Sequence, residues 1–211
     1  MLFRSVSLEA LLRAAVTQSD NTAVDALLKV LGGGSVATQF LESKGVHGMR
    51  IDMGERELGQ LLDGLKPGEQ PPANESDDAV DRRARHGFEA VLASKVNTTT
   101  LDGAAAFLDK LQSGALVSPT STNMLLGMMT AQVIPTRIRS GLPAGFQLAD
   151  KTGTAGTYGG RLGAWNDIGI VTAPGGRRMI VAIFLSDSPA SAKQADAWFA
   201  EIGRVVATSM Q

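Results

Sequence analysis

Three polar residues in a row, Ser19, Asp20 and Asn21, stand in TQSDNTAVDALL at the point where helical apolar spacing begins. Such residues cap helices, because a short side chain accepts from the open N–H groups of the first turn. Far downstream, ADKTGTAG places Lys151, Thr152 and Gly153 at the end of an alternating segment. A lysine near a serine lends positive charge to an anionic substrate or lowers the proton affinity of a hydroxyl. The glycines after it admit a backbone or a ligand closely. Between these two stretches, GERELG carries Glu55 and Glu57, and a carboxylate held beside a water acts as a base. Each stretch also has a plain reading on its own: a helix cap, a strand end with its turn, and a solvated acidic pair.

The composition narrows the chemistry. With 44% apolar and 19% charged residues in 211, the chain has the make-up of an ordinary globular domain or of two small lobes around one core. A formal net charge of −1 offers nothing to nucleic acid or another polyanion. There is no cysteine, so disulfides and thiolate metal sites are excluded. The two histidines, His47 and His86, lack metal-ligand spacing. A zinc site and a Ser-His-Asp triad are therefore not expected. The start, MLFRSVSLEALLRAAVTQ, is broken by Glu9 and Arg13 and does not read as a signal peptide. No apolar run approaches the roughly 20 residues that span a bilayer.

The elements that must position these groups follow from periodicity. Leu8, Leu11, Leu12 and Val16 fall on one helical face, as do Val24, Leu27, Leu28 and Leu31 in a helix expected over about 21–31 and stopped by Gly32, Gly33 and Gly34. Ser35 is a candidate cap for a third helix reaching about Lys44. Residues 61–95 read as a long loop insertion, with Lys66 to Arg85 a partly mobile surface segment rich in Pro, Gly, Asn and charge. Helical spacing resumes from Leu101 to Leu111, and Ser118-Pro119 opens a further helix to about Ala131. Beyond Gly145, FQLADKT, AWNDIGIVTA and RRMIVAIFLS read as three strands, with PGG as a hairpin turn between the last two. A final helix over about 191–209 carries Ala195, Trp198, Phe199, Ile202, Val205 and Val206 on one stripe. The expected class is α+β: a mainly helical part over 1–132, then a sheet and covering helix over 133–211.

In the order S-D-N, E-x-E-L and K-T-G, the three stretches together resemble the class A serine β-lactamases, whose signature includes S-D-N and K-T-G. AAVTQSDNTAVDALL, RIDMGEREL, SGLPAGFQLADKTGTAG and NDIGIV are similar to the family's segments around those motifs, and the likeness runs from about Ser7 to about Arg204. The resemblance implies the β-lactamase and penicillin-binding-protein fold, an antiparallel sheet covered by the C-terminal helix beside a helical subdomain. It implies hydrolysis of a β-lactam through a serine acyl-enzyme, without metal or cofactor. Ser19 would shuttle a proton to the β-lactam nitrogen and Asn21 would bond the substrate's side-chain amide. Glu55 would activate the deacylating water, and Lys151 would keep the site electropositive. Thr152 and Gly153 belong to the substrate-binding strand, with Thr152 on the carboxylate and the Thr154 N–H in the oxyanion hole. A complete member would be monomeric and would act in the periplasm or outside the cell, with no membrane or nucleic-acid partner.

The sequence departs from the family at three places. Trp165 stands before ND, where an arginine is usual, and Arg137 matches a position where other members place a compensating arginine. Arg137 is thus expected on the substrate carboxylate, the other reading being a surface arginine at a helix end. Gly59 replaces an asparagine beside the hydrolytic water, and Met53 replaces an arginine that anchors the loop. A wider loop is expected there, with either broad cephalosporin acceptance or slow deacylation. Finally, no serine lies three residues before any lysine, so the family's S-x-x-K nucleophile is absent from these 211 residues. Its segment would precede Met1, with the family's first helix and strands. The chain is therefore expected to be an N-terminally truncated member, marginally stable and inactive alone. Two competing readings are a non-catalytic β-lactam-binding module and a D-Ala-D-Ala peptidase of the penicillin-binding type.

Overall fold

A computed structural model of the chain describes residues 5–211. Helix α1 (Leu8–Thr17) starts where Ser7 accepts from the Ala10 N–H, and α2 (Asn21–Leu31) runs back along it. Helix α3 (Gly34–Ser43) begins one residue before the expected serine. Gly33 is its N-cap and no side chain caps it. Helices α4 (Glu55–Leu62), α5 (Asp77–Ala93), α6 (Leu101–Gln112), α7 (Pro119–Thr130) and the single turn α8 (Ile138–Gly141) follow. Strands β1 (Gln147–Tyr158), β2 (Arg161–Thr172) and β3 (Arg178–Ser188) form an antiparallel sheet in the order β1-β2-β3. Helix α9 (Ala192–Ser209) closes the chain under a Ser191 cap. The class is α+β, and the turn joining β2 and β3 is closed by the Ala173 N–H donating to the Arg177 carbonyl at 2.9 Å.

Strand alternation sends successive side chains to opposite faces of the sheet. Ala149, Ile168, Ile170 and Ile180 face a core made with Leu41, Val46, Leu108, Leu111 and Met129 of the helical part. Leu148, Val171 and Val181 face a second core with Ile138, Val206 and Met210. This parity matters for the site, because it puts Lys151 toward the helical part and Asp150 and Thr152 toward α8 and α9.

Two expectations are corrected. The stretch read as a mobile surface insertion contains the 17-residue α5, capped by Ser76 and started by Asp77 and Asp78. It is not loose. Phe88 is buried with its ring 6.0 Å from that of Tyr158, the Tyr158 hydroxyl donates to Asp81 at 2.8 Å, and Arg161 reaches Glu89 at 2.6 Å. Arg83 ties the loop before it down, donating to Glu75 at 2.8 Å and to the Asp63 carbonyl. The stripe on α9 is also only partly a core face: Ala195, Phe199 and Val206 are buried, whereas Trp198, Ile202 and Val205 are exposed.

Candidate active site

Ser19 lies just before α2 with φ of 56°, in the left-handed region that non-glycine residues seldom enter. The capping work falls to its neighbour: Asp20 is the N-cap and accepts from the Ala23 N–H at 2.7 Å. Ser19 is thereby freed to face β1. Lys151 Nζ donates to Ser19 Oγ at 2.7 Å and to the Thr152 carbonyl at 2.8 Å. Burial pushes the Lys151 pKa down, against the Asp150 and Glu55 carboxylates, which raise it, while the Arg137 charge lowers it. The first and second motifs are thus one hydrogen-bonded pair, although 132 residues separate them.

Glu55 opens α4, and a side chain that the sequence did not single out holds that end. Asp25, on α2, accepts from the Glu55 N–H at 2.6 Å and from the Arg56 N–H at 3.1 Å. A Cβ at Gly54 would come within 2.2 Å of Asp25 Oδ1, so the glycine is what lets the carboxylate reach the helix end. Glu57 turns back to accept from the Gly54 N–H at 3.4 Å and is exposed. Of the acidic pair, Glu55 is the one inside the cavity, a volume of about 520 Å³ that it lines with Asn21, Thr22, Asp25, Lys29 and Arg56. Burial and then the Asp25 charge raise the Glu55 pKa, and Lys151 opposes them.

Arg50 pairs with Asp52 at 2.6 Å in the loop leading to Glu55, and Asn97 holds the same loop at Asp52 and Met53. Its Oδ1 accepts from the N–H groups of Asp52 and Met53 at 2.7 and 3.2 Å, and its Nδ2 donates to the Met53 carbonyl at 3.0 Å. The Asn97 N–H completes the clasp by donating to Asp52 Oδ2 at 2.9 Å. At Gly59 a Cβ would meet nothing within 4 Å, and a cavity of about 260 Å³ opens there beside Phe88 and Tyr158.

Behind Lys151 two carboxyls, Asp150 of β1 and Asp167 of β2, are fully buried. Asp150 accepts from Gln132 Nε2 at 2.7 Å and pairs with Arg139. Asp167 accepts only the Ile138 N–H at 3.3 Å, and its Oδ1 has no partner. Burial and the Asp150 charge raise the Asp167 pKa to about 8. A proton kept on Asp167 gives the pair a donor that two carboxylates would lack.

Arg137 is not a surface residue. Its side chain is 3% exposed and its φ is 62°. Nη1 donates to the Gly153 carbonyl at 2.8 Å and to the Asn166 carbonyl, and Nη2 donates to Thr154 Oγ1. Burial lowers its pKa, and the carboxylates of Asp167, Asp196 and Asp150 oppose that. Thr152 is a buried residue and Thr154 an exposed one. Among the described residues, no group of three or more His, Asp or Glu is placed to hold a metal ion.

The sheet thus carries Lys151 of β1 against a serine at the head of α2, with a half-buried glutamate at the head of α4. The model of the β-lactamase enzyme family matches residues 3–210. The chain is 30% identical over 201 residues to the extended-spectrum β-lactamase PER-1 of Pseudomonas aeruginosa, covering 95% of this chain and 56% of that protein. It is also 30% identical to the β-lactamase FAR-1 of Nocardia farcinica (strain IFM 10152), covering 54% of it. Among solved structures, a β-lactamase from Chitinophaga pinensis DSM 2588 superposes with a TM-score of 0.78 at 26% identity, over 98% of this chain and 66% of that one. An ancestral class A β-lactamase gives 0.74 at 33%, over 97% and 66%. The chain belongs to the class A β-lactamase family. It spans about half the length of the curated relatives it matches.

Proposed function

We propose that this chain carries the substrate-holding and deacylating part of a serine β-lactamase site, and that its substrate is a β-lactam. The observation that carries the reading is the 2.7 Å bond from Lys151 to Ser19, which joins two of the family's motifs across the chain. In this reading Ser19 passes a proton to the β-lactam nitrogen as the ring opens, and Lys151 holds the hydroxyl and attracts the anionic substrate. Asn21 bonds the side-chain amide. Thr152, Gly153, Thr154 and Arg137 form the carboxylate end, with the Thr154 N–H facing the oxyanion. Glu55 takes a proton from water as that water attacks the acyl carbon. The acyl–oxygen bond to the nucleophilic serine then breaks, and the serine recovers a proton. No cofactor enters, and the complete protein works as a monomer in the periplasm or outside the cell.

The absence of S-x-x-K from these 211 residues favours a second reading for the chain by itself, a module that binds β-lactams without turning them over. Titration of the chain with benzylpenicillin, followed by calorimetry and intact mass, tests both. The expected result is saturable binding with unchanged mass, weakened by about tenfold to a hundredfold in Lys151→Ala through loss of a charged hydrogen-bond donor. No binding by a folded chain would overturn the proposal. A penicilloyl adduct on Ser19 would overturn the role given to that serine.

A further inference from the structure

Two apolar surfaces that the fold leaves open lie side by side. Strand β3 pairs with β2 alone, and among the described residues no backbone bond reaches its outer edge. That strand carries an unbroken apolar run, Met179 to Leu185, of which only Val181 is buried. Natural edge strands are blunted by charge, proline or a bulge. Between Met179 and Leu185 there is neither charge nor proline, and the register with β2 runs without a break from Arg178 to Ser186.

The second surface is on α9. Trp198, Ile202 and Val205 recur at helical spacing and are 51%, 38% and 60% exposed. A turn of about 100° per residue points Ala195, Phe199 and Val206 at the sheet. It sets Ala200 and Gly203, which lie close against Gly141 and Ile138 of α8, on one flank of the helix. The stripe falls on the other flank. Helix α8 lies over β1 and β2, where the Ile138 N–H meets Asp167 and Arg139 meets Asp150, so the striped flank looks toward β3.

We propose that the β3 edge and this stripe form one interface, and that its occupant is a second copy of the chain. The surface is self-complementary. Ile183 is the midpoint of β3, so two such strands pair antiparallel about a two-fold axis normal to the sheet with Ile183 against its copy. This register keeps each face of the sheet continuous across the axis. Phe184 then stands beside Ala182 of the second copy and Leu185 beside its Val181, a larger side chain next to a smaller one each time. Val206 shares the second core with Val181. One turn back, about 5 Å or less than two strand residues, Ile202 comes level with Ile183, so the same axis lays the two stripes along one another. The strand runs about 36 Å and a helix is about 10 Å across. Edge and stripe together thus offer several hundred Å² per partner, on the order of the roughly 800 Å² of a standard interface. The contact closes on itself and ends at a dimer. It concerns the 211-residue chain by itself and stands apart from the β-lactam reading.

Sedimentation of the 211-residue chain over a roughly hundredfold range of concentration should show a dimer that dissociates on dilution. Val205→Glu alters an exposed side chain, so the far-ultraviolet circular dichroism should be kept. The dissociation constant should rise about tenfold or more, because the variant buries an unpaired charge between the copies. The chain has no cysteine, so a single introduced thiol reports one position. Ile183→Cys should give an intermolecular disulfide under mild oxidation, whereas Met179→Cys, whose copies stand roughly 26 Å apart in this register, should not. A monomer at every concentration, or a chain found only with a different polypeptide on this edge, overturns the proposal. A dimer that Val205→Glu leaves intact and Ile183→Cys does not cross-link overturns it as well. Open polymers that grow with concentration overturn the two-fold pairing.

Discussion

Asp25 lies outside the three motifs, yet it bonds the Glu55 N–H and helps Glu55 hold its proton. Burial comes first among the causes and the Asp25 carboxylate second, both favouring the neutral acid, while Lys151 favours the ion. A base with a raised pKa is the stronger acceptor once ionised. The linkage sign follows: a carboxyl whose folded pKa is raised contributes stability that is lost as pH rises through that pKa. Carbon-13 NMR of the Glu55 carboxyl should show a midpoint above that of an ordinary glutamate. In Asp25→Asn the midpoint should fall, because a like charge is gone. An unmoved midpoint would remove Asp25 from the account.

At the scale of elements, the loop before α4 depends on Asn97. Replacing it by alanine strips the partners from two backbone N–H groups and one carbonyl, and puts a Cβ without a compensating bond at φ of 49°. Roughly 2–3 kcal/mol should be lost in urea unfolding, with faster amide exchange at Asp52 and Met53 than in the wild type. Asn97→Asp, which keeps the accepting oxygens, should lose less. Neither Asn97 nor Asp25 was legible as a functional residue. Their bonds span 44 or 45 and 30 or 31 positions, and periodicity reports only neighbours on one face. Helices α1, α2, α3, α6, α7 and α9 and the three strands were legible, since their apolar residues recur at helical or alternating spacing and four of those helices carry a capping serine or threonine. Helix α5 was not, because DDAVDRRARHGFEAVLA buries only Gly87 and Phe88 and its charge resembles a solvated loop. The available signal was Ser76 followed by two aspartates, a cap with an acidic first turn. The structure joins Ser19 to Lys151 by a hydrogen bond and sets Asn21 and Glu55 on one cavity. Arg137 was found by position alone, whereas its partner Asp196 carried no local mark on a helix read only for its apolar stripe.

For the molecule as a whole, the buried Asp150–Asp167 pair couples folding to pH. Asp167 has a folded pKa of about 8 against an ordinary value of 3.8. Between those values the folded chain keeps a proton that the unfolded chain has lost, so this contribution is complete at low pH and disappears as pH rises through about 8. Asp167→Asn imitates the protonated acid with a permanent amide donor. Thermal melts from about pH 5 to about pH 9 should show the variant gaining on the wild type as pH rises. A constant gap would mean that Asp167 holds no proton. The bond between Ser19 and Lys151 has a consequence in time as well as in space. Its two halves are made 132 residues apart, and at ribosomal rates that is a wait on the order of ten seconds. During the wait Ser19 at the head of α2 has no lysine to meet. The site is thus among the last things this chain can assemble during synthesis, and a formed Ser19–Lys151 contact reports that the sheet has already docked.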